Sequence, residues 1–238
     1  MNLLALETST RRLSVALWLD GLLIERAADI PNGGSERLLP WVSELLAEAG
    51  MAFADVDSIA YGAGPGSFTG LRLACGVAQG LAFGRDLPVL GVSTLEALAV
   101  AAYAEKRAGT SGTERRFACL DARMGEVYCA AYLIHDDVSE TLMSPAVMVP
   151  QLVRLPDVRS GTGWIGCGEG FVTYPDLLGA LVTEVRGDCW PTAAVVACLA
   201  APRLARGEGV DAGLAAPRYV RDKVALTTVE RMARGGRK

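Results

Sequence analysis

Three groups of residues in this sequence are of types, and at spacings, that could do chemistry. The first is the string GAGPGSFTGLR, Gly62 to Arg72. Its glycines permit positive φ, and a helix starting beyond Ser67 or Thr69 would offer unpaired N–H groups to an anion. It is not G-x-x-x-x-G-K-[ST], because no lysine follows the glycines. Nor is it G-x-G-x-x-G, because after Gly62 and Gly64 the sixth position is Ser67. Two readings remain: an elbow that turns the chain from a strand into a helix, and an anion contact through Ser67, Thr69 and Arg72. The second group is the carboxylates Glu7 and Asp121, each ending an apolar run (NLLALE, FACLD) and followed by a short polar turn. In a cleft they could organise magnesium; alternatively, each accepts hydrogen bonds from its own turn. The third group is His135 and six cysteines. With one histidine a two-His zinc site is impossible, and a Ser-His-Asp triad would have to run through a residue expected in a polar loop. The cysteines include no C-x-x-C pair and sit mostly in apolar strings, so buried, reduced thiols are expected.

The elements that must position these groups follow from periodicity. NLLALET reads as a buried strand, and LSVALWLDGLLIERAADI as two strands joined at Asp20-Gly21, a hairpin dipeptide. SERLLPWVSELLAEAG has Leu38, Val42, Leu45 and Leu46 at helical spacing, with Ser35 as candidate N-cap and Gly50 as the stop. Pro40 would cost this helix a hydrogen bond if it began as early as Ser35. VDSIAYG is a strand leading into the elbow, TGLRLACGVAQGLAFG the helix after it, LPVLGV another strand, and STLEALAVAAYAEK a helix with Ser93 and Glu96 spaced as a capping box. After the polar stretch KRAGTSGTERR the pattern restarts: FACLDARMGEVYCAAYLI parallels LLALETSTRRLSVALWLD. A boundary there divides the chain into residues 1–106 and 107–238. The second half continues through GWIGCGEG, a strand with a glycine turn, and the helix TAAVVACLAAPRLARG. The expected fold is α/β: a duplicated, actin-like or sugar-kinase-like (ribonuclease H-like) arrangement of two lobes, each a mixed sheet with flanking helices.

The helix after the elbow carries a second message. Past its cap, the only polar side chains before Gly84 are Arg72 and Gln79, whereas a surface helix shows a broad polar face. Leu71, Ala74, Ala78 and Leu81 suit the lobe's own sheet. A second stripe, Arg72, Gly76, Gln79, Gly80 and Phe83, follows i, i+4, i+7, i+8, i+11. Each interior glycine costs roughly 1 kcal/mol relative to Ala, which close packing of another subunit's helix would offset; cover by the chain's own second half is the alternative. A 51% hydrophobic composition suits a folded globular protein, and a net charge of −4 argues against unaided nucleic-acid binding, although Arg231, Arg234, Arg237 and Lys238 make the C-terminus locally basic. The start MNLLALETSTRR lacks a signal peptide's basic n-region, and no stretch of about 18 uninterrupted apolar residues occurs, so a cytoplasmic location without membrane contact is expected.

Taken together, GAGPGSFTGLR, LLALETST, GSERLLPWVSELL, GVSTLEALA, LDARMGEVY and PRYVRDKVA resemble the TsaB (YeaZ) family. These are bacterial partner proteins of the machinery that places threonylcarbamoyl on the adenosine beside the anticodon of tRNAs. The resemblance runs nearly end to end, and it implies the actin-like duplicated fold independently of strand order. It further implies a scaffold without catalytic residues or metal ligands of its own. The related transferase TsaD holds its metal with a helix-borne histidine pair, which one histidine cannot supply. The implied partners are TsaD, the ATPase TsaE, and a second copy when TsaD is absent, with tRNA met only through the complex and ATP and magnesium used by the partner complex. The implied partner surface is the first two helices, about Ser35 to Ala49 and Thr69 to Gly84, with Leu38, Trp41, Leu45, Arg72, Gly76, Gln79, Gly80 and Phe83 as contacts. Glu7, Ser67, Thr69 and Asp121 are the positions for any nucleotide or anion contact. Two departures stand out: Gly34 replaces a His common in the family, and Glu7 stands where Asp is common. The rival expectation is an enzyme, either an ATP-dependent transferase using Glu7 and Asp121 or a peptidase, with its own site in the interlobe cleft.

Overall fold

A computed structural model of the chain describes residues 1–30, 33–104, 112–135, 138–157 and 163–221. The first lobe opens with strands β1 (Asn2–Glu7), β2 (Arg12–Leu19) and β3 (Leu22–Asp29), followed by helix α1 (Gly34–Glu48), strand β4 (Ser58–Gly64), helix α2 (Phe68–Phe83), strand β5 (Val89–Ser93) and helix α3 (Thr94–Ala104). Asp20 and Gly21 both take positive φ, 48° and 100°, as a two-residue hairpin turn requires. The sheet order is β3-β2-β1-β4-β5. β1, β2 and β3 pair antiparallel, and β4 and β5 run parallel to β1. The second lobe has strands β6 (Glu114–Arg123), β7 (Glu126–His135), β8 (Val138–Met148), β9 (Trp164–Cys167) and β10 (Glu184–Arg186), short helices α4 (Gly170–Thr173) and α5 (Pro175–Leu178), and helix α6 (Ala193–Ala205). Its order, β8-β7-β6-β9-β10, repeats the first sheet strand for strand, antiparallel and parallel pairings included. The fold is the duplicated actin-like, ribonuclease H-like one.

Strand alternation sets the layers. Leu4 and Leu6 of β1 face outward onto α1 and α2, which bury Leu38, Val42, Leu45, Ala74 and Ala78 there. Leu3 and Ala5 face inward, into a core shared with the second sheet's Ala118, Leu120 and Ala130. Two helices fill that shared layer crosswise. α3, from the first half of the chain, packs on β6 and β7, and α6, from the second half, packs on β1 and β2. Alanines line the contact on both sheets and both helices, which allows the close approach. Polar pairs fix the crossing: the Ala193 N–H donates to the buried Ser14 hydroxyl at 2.7 Å, the Ala194 N–H to Glu25 at 2.8 Å, and Arg203 of α6 pairs with Glu96 of α3. The division near residue 106 therefore separates the two sheets along the chain but cuts through this packing layer; residues 105–111 themselves lie outside the described ones.

Several local expectations change. α1 begins at Gly34 after a left-handed Gly33 (φ 78°), so Ser35 is not its cap, and Pro40 lies inside the helix. Ser93 does accept the Glu96 N–H at 3.4 Å, but the Glu96 carboxylate is committed to Arg203 rather than to the helix end. His135 ends strand β7 instead of sitting in a loop. Five of the cysteines are buried thiols, with burial pushing Cys129 up to about 11 and Cys167 to about 12, whereas Cys198 on α6 is exposed. Among the described residues no helix is long and apolar enough to cross a membrane. Arg231, Arg234, Arg237 and Lys238 lie outside the described residues.

Candidate functional site

The elbow is built by glycines that clasp the end of β1. A Cβ on Gly62 would sit 1.9 Å from Glu7 Oε2, one on Gly66 would sit 2.5 Å from the Ser9 carbonyl oxygen, and one on Gly70 would sit 1.9 Å from the Thr8 carbonyl oxygen. Glycines at i, i+4 and i+8 are thus each required by one residue of Glu7-Thr8-Ser9. Two hydrogen bonds close the clasp: the Ser67 N–H donates to the Ser9 carbonyl at 2.7 Å, and the Thr8 hydroxyl donates to the Gly70 carbonyl at 2.6 Å. Gly64 turns the chain at φ 114°, and Ser67 caps α2 by accepting the Gly70 N–H. Ser67 and the Gly70 backbone are thus used in turning the chain and locking it to β1.

The two carboxylates occupy equivalent places and are used alike. Glu7 accepts the Ser9 N–H at 2.6 Å and Asp121 accepts the Arg123 N–H at 2.9 Å, each two residues on. Their surroundings differ. Glu7 is fully buried, one of its oxygens lacks a partner, and burial raises its pKa. Asp121 faces an open interlobe cavity of about 1220 Å³ and forms an ion pair with Arg123 at 3.0 Å. Ser67, Thr69 and Arg72 line the same cavity from the first lobe, and Glu169 and Arg221 from the second. Burial raises the Glu169 pKa, and the Asp121 charge adds to the rise. The structure therefore brings Ser67, Thr69, Arg72 and Asp121 together and leaves Glu7 beneath the cavity's floor. The expectation that both carboxylates point into the cleft is corrected for Glu7, because its strand ends one layer deep under the elbow. Among the described residues no group of three or more His, Cys, Asp or Glu side chains could hold a metal ion.

The α2 stripe divides in two. Gln79 donates to the carbonyls of Ala212 and Ala215 at 3.2 and 3.0 Å. It thereby holds the chain's own C-terminal segment, which also bridges Val210 to Val89, receives the Tyr61 hydroxyl on the Ala216 carbonyl, and donates the Arg218 N–H to Ala63 at 2.7 Å. The Gln79 amide is therefore committed to the chain's own C-terminal segment, and its side chain is half-buried. Arg72, Gly76, Gly80 and Phe83 remain exposed. Phe83 is 76% exposed, and a Cβ on Gly76, Gly80 or Gly84 would meet nothing within 4 Å. On α1, Leu38 and Leu45 are buried in the lobe's own core and cannot be partner contacts. Their helical spacing was that of the stripe facing the sheet. Trp41 is half-buried, and Leu39 on the same helix is exposed. Cover of α2 by the chain's own second half, the alternative in the sequence reading, holds for the Gln79 side, although the segment responsible was not singled out. Its only signal was the P-x-Y-V-R string: Tyr219 stacks near Phe68, centroids 5.6 Å apart, and accepts the Arg72 Nε–H at 2.9 Å.

Comparison with known proteins gives a consistent picture. A family model described as TsaD, tRNA N6-adenosine threonylcarbamoyltransferase, matches residues 33–157. The Escherichia coli K12 protein named tRNA threonylcarbamoyladenosine biosynthesis protein TsaB is 37% identical over 94% of this chain and 96% of its own length. The Haemophilus influenzae protein of the same name is 40% identical over 69% and 73%. The solved structure of YeaZ from Pseudomonas aeruginosa is 43% identical, with a TM-score of 0.84 over 92% of this chain and 99% of that one. Identity at this level over nearly the whole of both chains, on the same two-sheet architecture, makes this chain a member of the TsaB (YeaZ) family.

Proposed function

We propose that this protein serves the formation of threonylcarbamoyladenosine beside the anticodon of tRNAs as a non-catalytic scaffold, in a complex with TsaD and TsaE. The observation that supports this reading is the open stripe of α2. Glycines at two successive turns weaken the helix by roughly 1 kcal/mol each and pack against nothing in the chain itself. A second helix laid against Gly76 and Gly80 would recover that cost through close backbone approach. The match of the TsaD family model across α1 and α2 adds that the proposed partner has a related first lobe, so that like helices meet. The same stripe would serve a homodimer when TsaD is absent. In this reading tRNA is met only through the complex, ATP and magnesium are used by the partner complex, and the protein works in the cytoplasm. The rival enzyme reading needs Glu7 and Asp121 as paired groups in the cleft, and the burial of Glu7 speaks against that pairing.

Reconstitution tests the proposal: purified TsaD and TsaE, threonylcarbamoyl-adenylate and substrate tRNA, with and without this chain, while light scattering follows complex size. Modification that depends on this chain, together with a stable heteromeric complex, is the expected result. Full modification without it, and no complex, would remove the scaffold reading.

A further inference from the structure

Arg72 differs from the other arginines beside the cleft. Arg11 pairs with Asp29, Arg123 with Asp121 and Arg221 with Glu126, whereas Arg72 has no ion pair among the described residues. Its side chain leans back over the first turn of α2, as helical side chains do, with the guanidinium 3.8 Å from the centroid of the Phe68 ring. No acidic residue occupies that turn, so the charge adds to the positive end of the helix dipole. Nε is held by the Tyr219 hydroxyl. One face and one nitrogen are thus committed, and the two terminal nitrogens are left as a preset fork.

We propose that Phe68, Arg72 and Tyr219 form an anchor for an acidic side chain on the protein helix that packs across Gly76 and Gly80. This inference rests on the reading of α2 as partner-facing. Gly76 lies one turn from Arg72, about 6 Å along the axis, so the partner's carboxylate belongs one to two turns from the closest approach of the two helices. A phosphate is the weaker candidate. An RNA backbone draws on several free cations, and of the arginines nearby Arg11, Arg123 and Arg221 are already paired, which leaves only Arg218, itself bonded to the Gly91 carbonyl, without an ion pair among the described residues. Phe68 and Tyr219 are 38% and 48% exposed, and an aromatic–Arg combination on an open face is the composition that dominates protein interfaces.

Calorimetric titration of TsaD with the full chain, at low and high salt, tests the anchor in wild type, Arg72→Met, Arg72→Lys, Tyr219→Phe and Gly80→Arg. Arg72→Met is expected to weaken binding about tenfold or more and to flatten the salt dependence, with an unchanged melting temperature. Arg72→Lys should recover only part, because an ammonium cannot form the fork, and Tyr219→Phe should weaken binding by less. Wild-type affinity and salt dependence in Arg72→Met, alongside lost binding in Gly80→Arg, would overturn the anchor and leave the α2 reading standing. Wild-type binding by Gly80→Arg as well would remove both. If Arg72→Met keeps TsaD affinity but costs the assembled complex its affinity for tRNA, the anchor belongs to a phosphate and the proposal is wrong.

Discussion

A Cβ added at Gly70 comes within 1.9 Å of the Thr8 carbonyl oxygen, whereas one added at Gly80 meets nothing within 4 Å. Two glycines ten residues apart on one helix therefore predict opposite outcomes. Gly70→Ala forces its Cβ against the Thr8 backbone carbonyl and is expected to destabilise by about 3 kcal/mol. Gly80→Ala relieves only helix propensity and should stabilise the isolated chain by up to about 1 kcal/mol. Urea unfolding of both variants checks the pair, and equal effects would contradict the clasp. Glu7 supplies a pH prediction. Its folded pKa is raised above the ordinary 4.5 by burial, so above that pH the unfolded chain releases a proton that the folded chain retains. Stability is accordingly lost as pH rises from about 4.5 towards the folded value. Glu7→Gln keeps an acceptor for the Ser9 N–H and removes the ionisation. Its stability relative to wild type should climb with pH across that window, read from urea midpoints, and parallel profiles would refute the buried-acid account.

The elements show why an apolar helix need not be wholly an interface. α2 is divided among three environments: one stripe packs on its sheet, the side marked by Gln79 lies under the C-terminal segment, and Phe68, Thr69, Arg72, Gly76, Gly80 and Phe83 remain open. Periodicity alone does not divide these faces, because a helix covered from two directions has no polar side to orient it. α1 teaches the converse. Its apolar residues at i, i+4, i+7 and i+8 from Leu38 belong to the core, and the side chains that could meet a partner are the ones between them. Gln79→Leu leaves the Ala212 and Ala215 carbonyls without their donor. A loss of about 1–2 kcal/mol is expected, with faster amide exchange across residues 210–218, and unchanged exchange there would deny the brace.

At the scale of the molecule, the crossed helices join the lobes. Separated halves 1–106 and 107–238 would each expose an alanine-lined sheet face that the other half's helix covers, so neither is expected to fold alone, and the whole chain should show one calorimetric transition. Glu96 and Arg203 tie α3 to α6, with Ser139 of β8 adding a hydrogen bond to the same carboxylate. Arg203→Met leaves a carboxylate with a side chain only 10% exposed short of its cation and should lower stability by about 2–3 kcal/mol. Two resolved transitions in wild type would show that the lobes are coupled less than the packing implies.

Much of the architecture was legible in consecutive residues. Strand and helix order through the first 106 residues, the Asp20-Gly21 hairpin, the repeat of the opening strand pair after residue 113, and the exclusion of a two-histidine metal site all depend on local spacing or on composition, which the sequence by itself determined, whereas β8, α4, α5 and β10 carry no clear period and were not legible. The tertiary structure decided the rest: that Glu7 lies beneath the cavity while Asp121 faces it, that α3 and α6 are exchanged between sheets, and that Tyr219 reaches across 147 positions to hold Arg72. The physical reason is that burial and charge pairing are set by which distant segments meet, and contacts between such segments leave no periodic trace in either one.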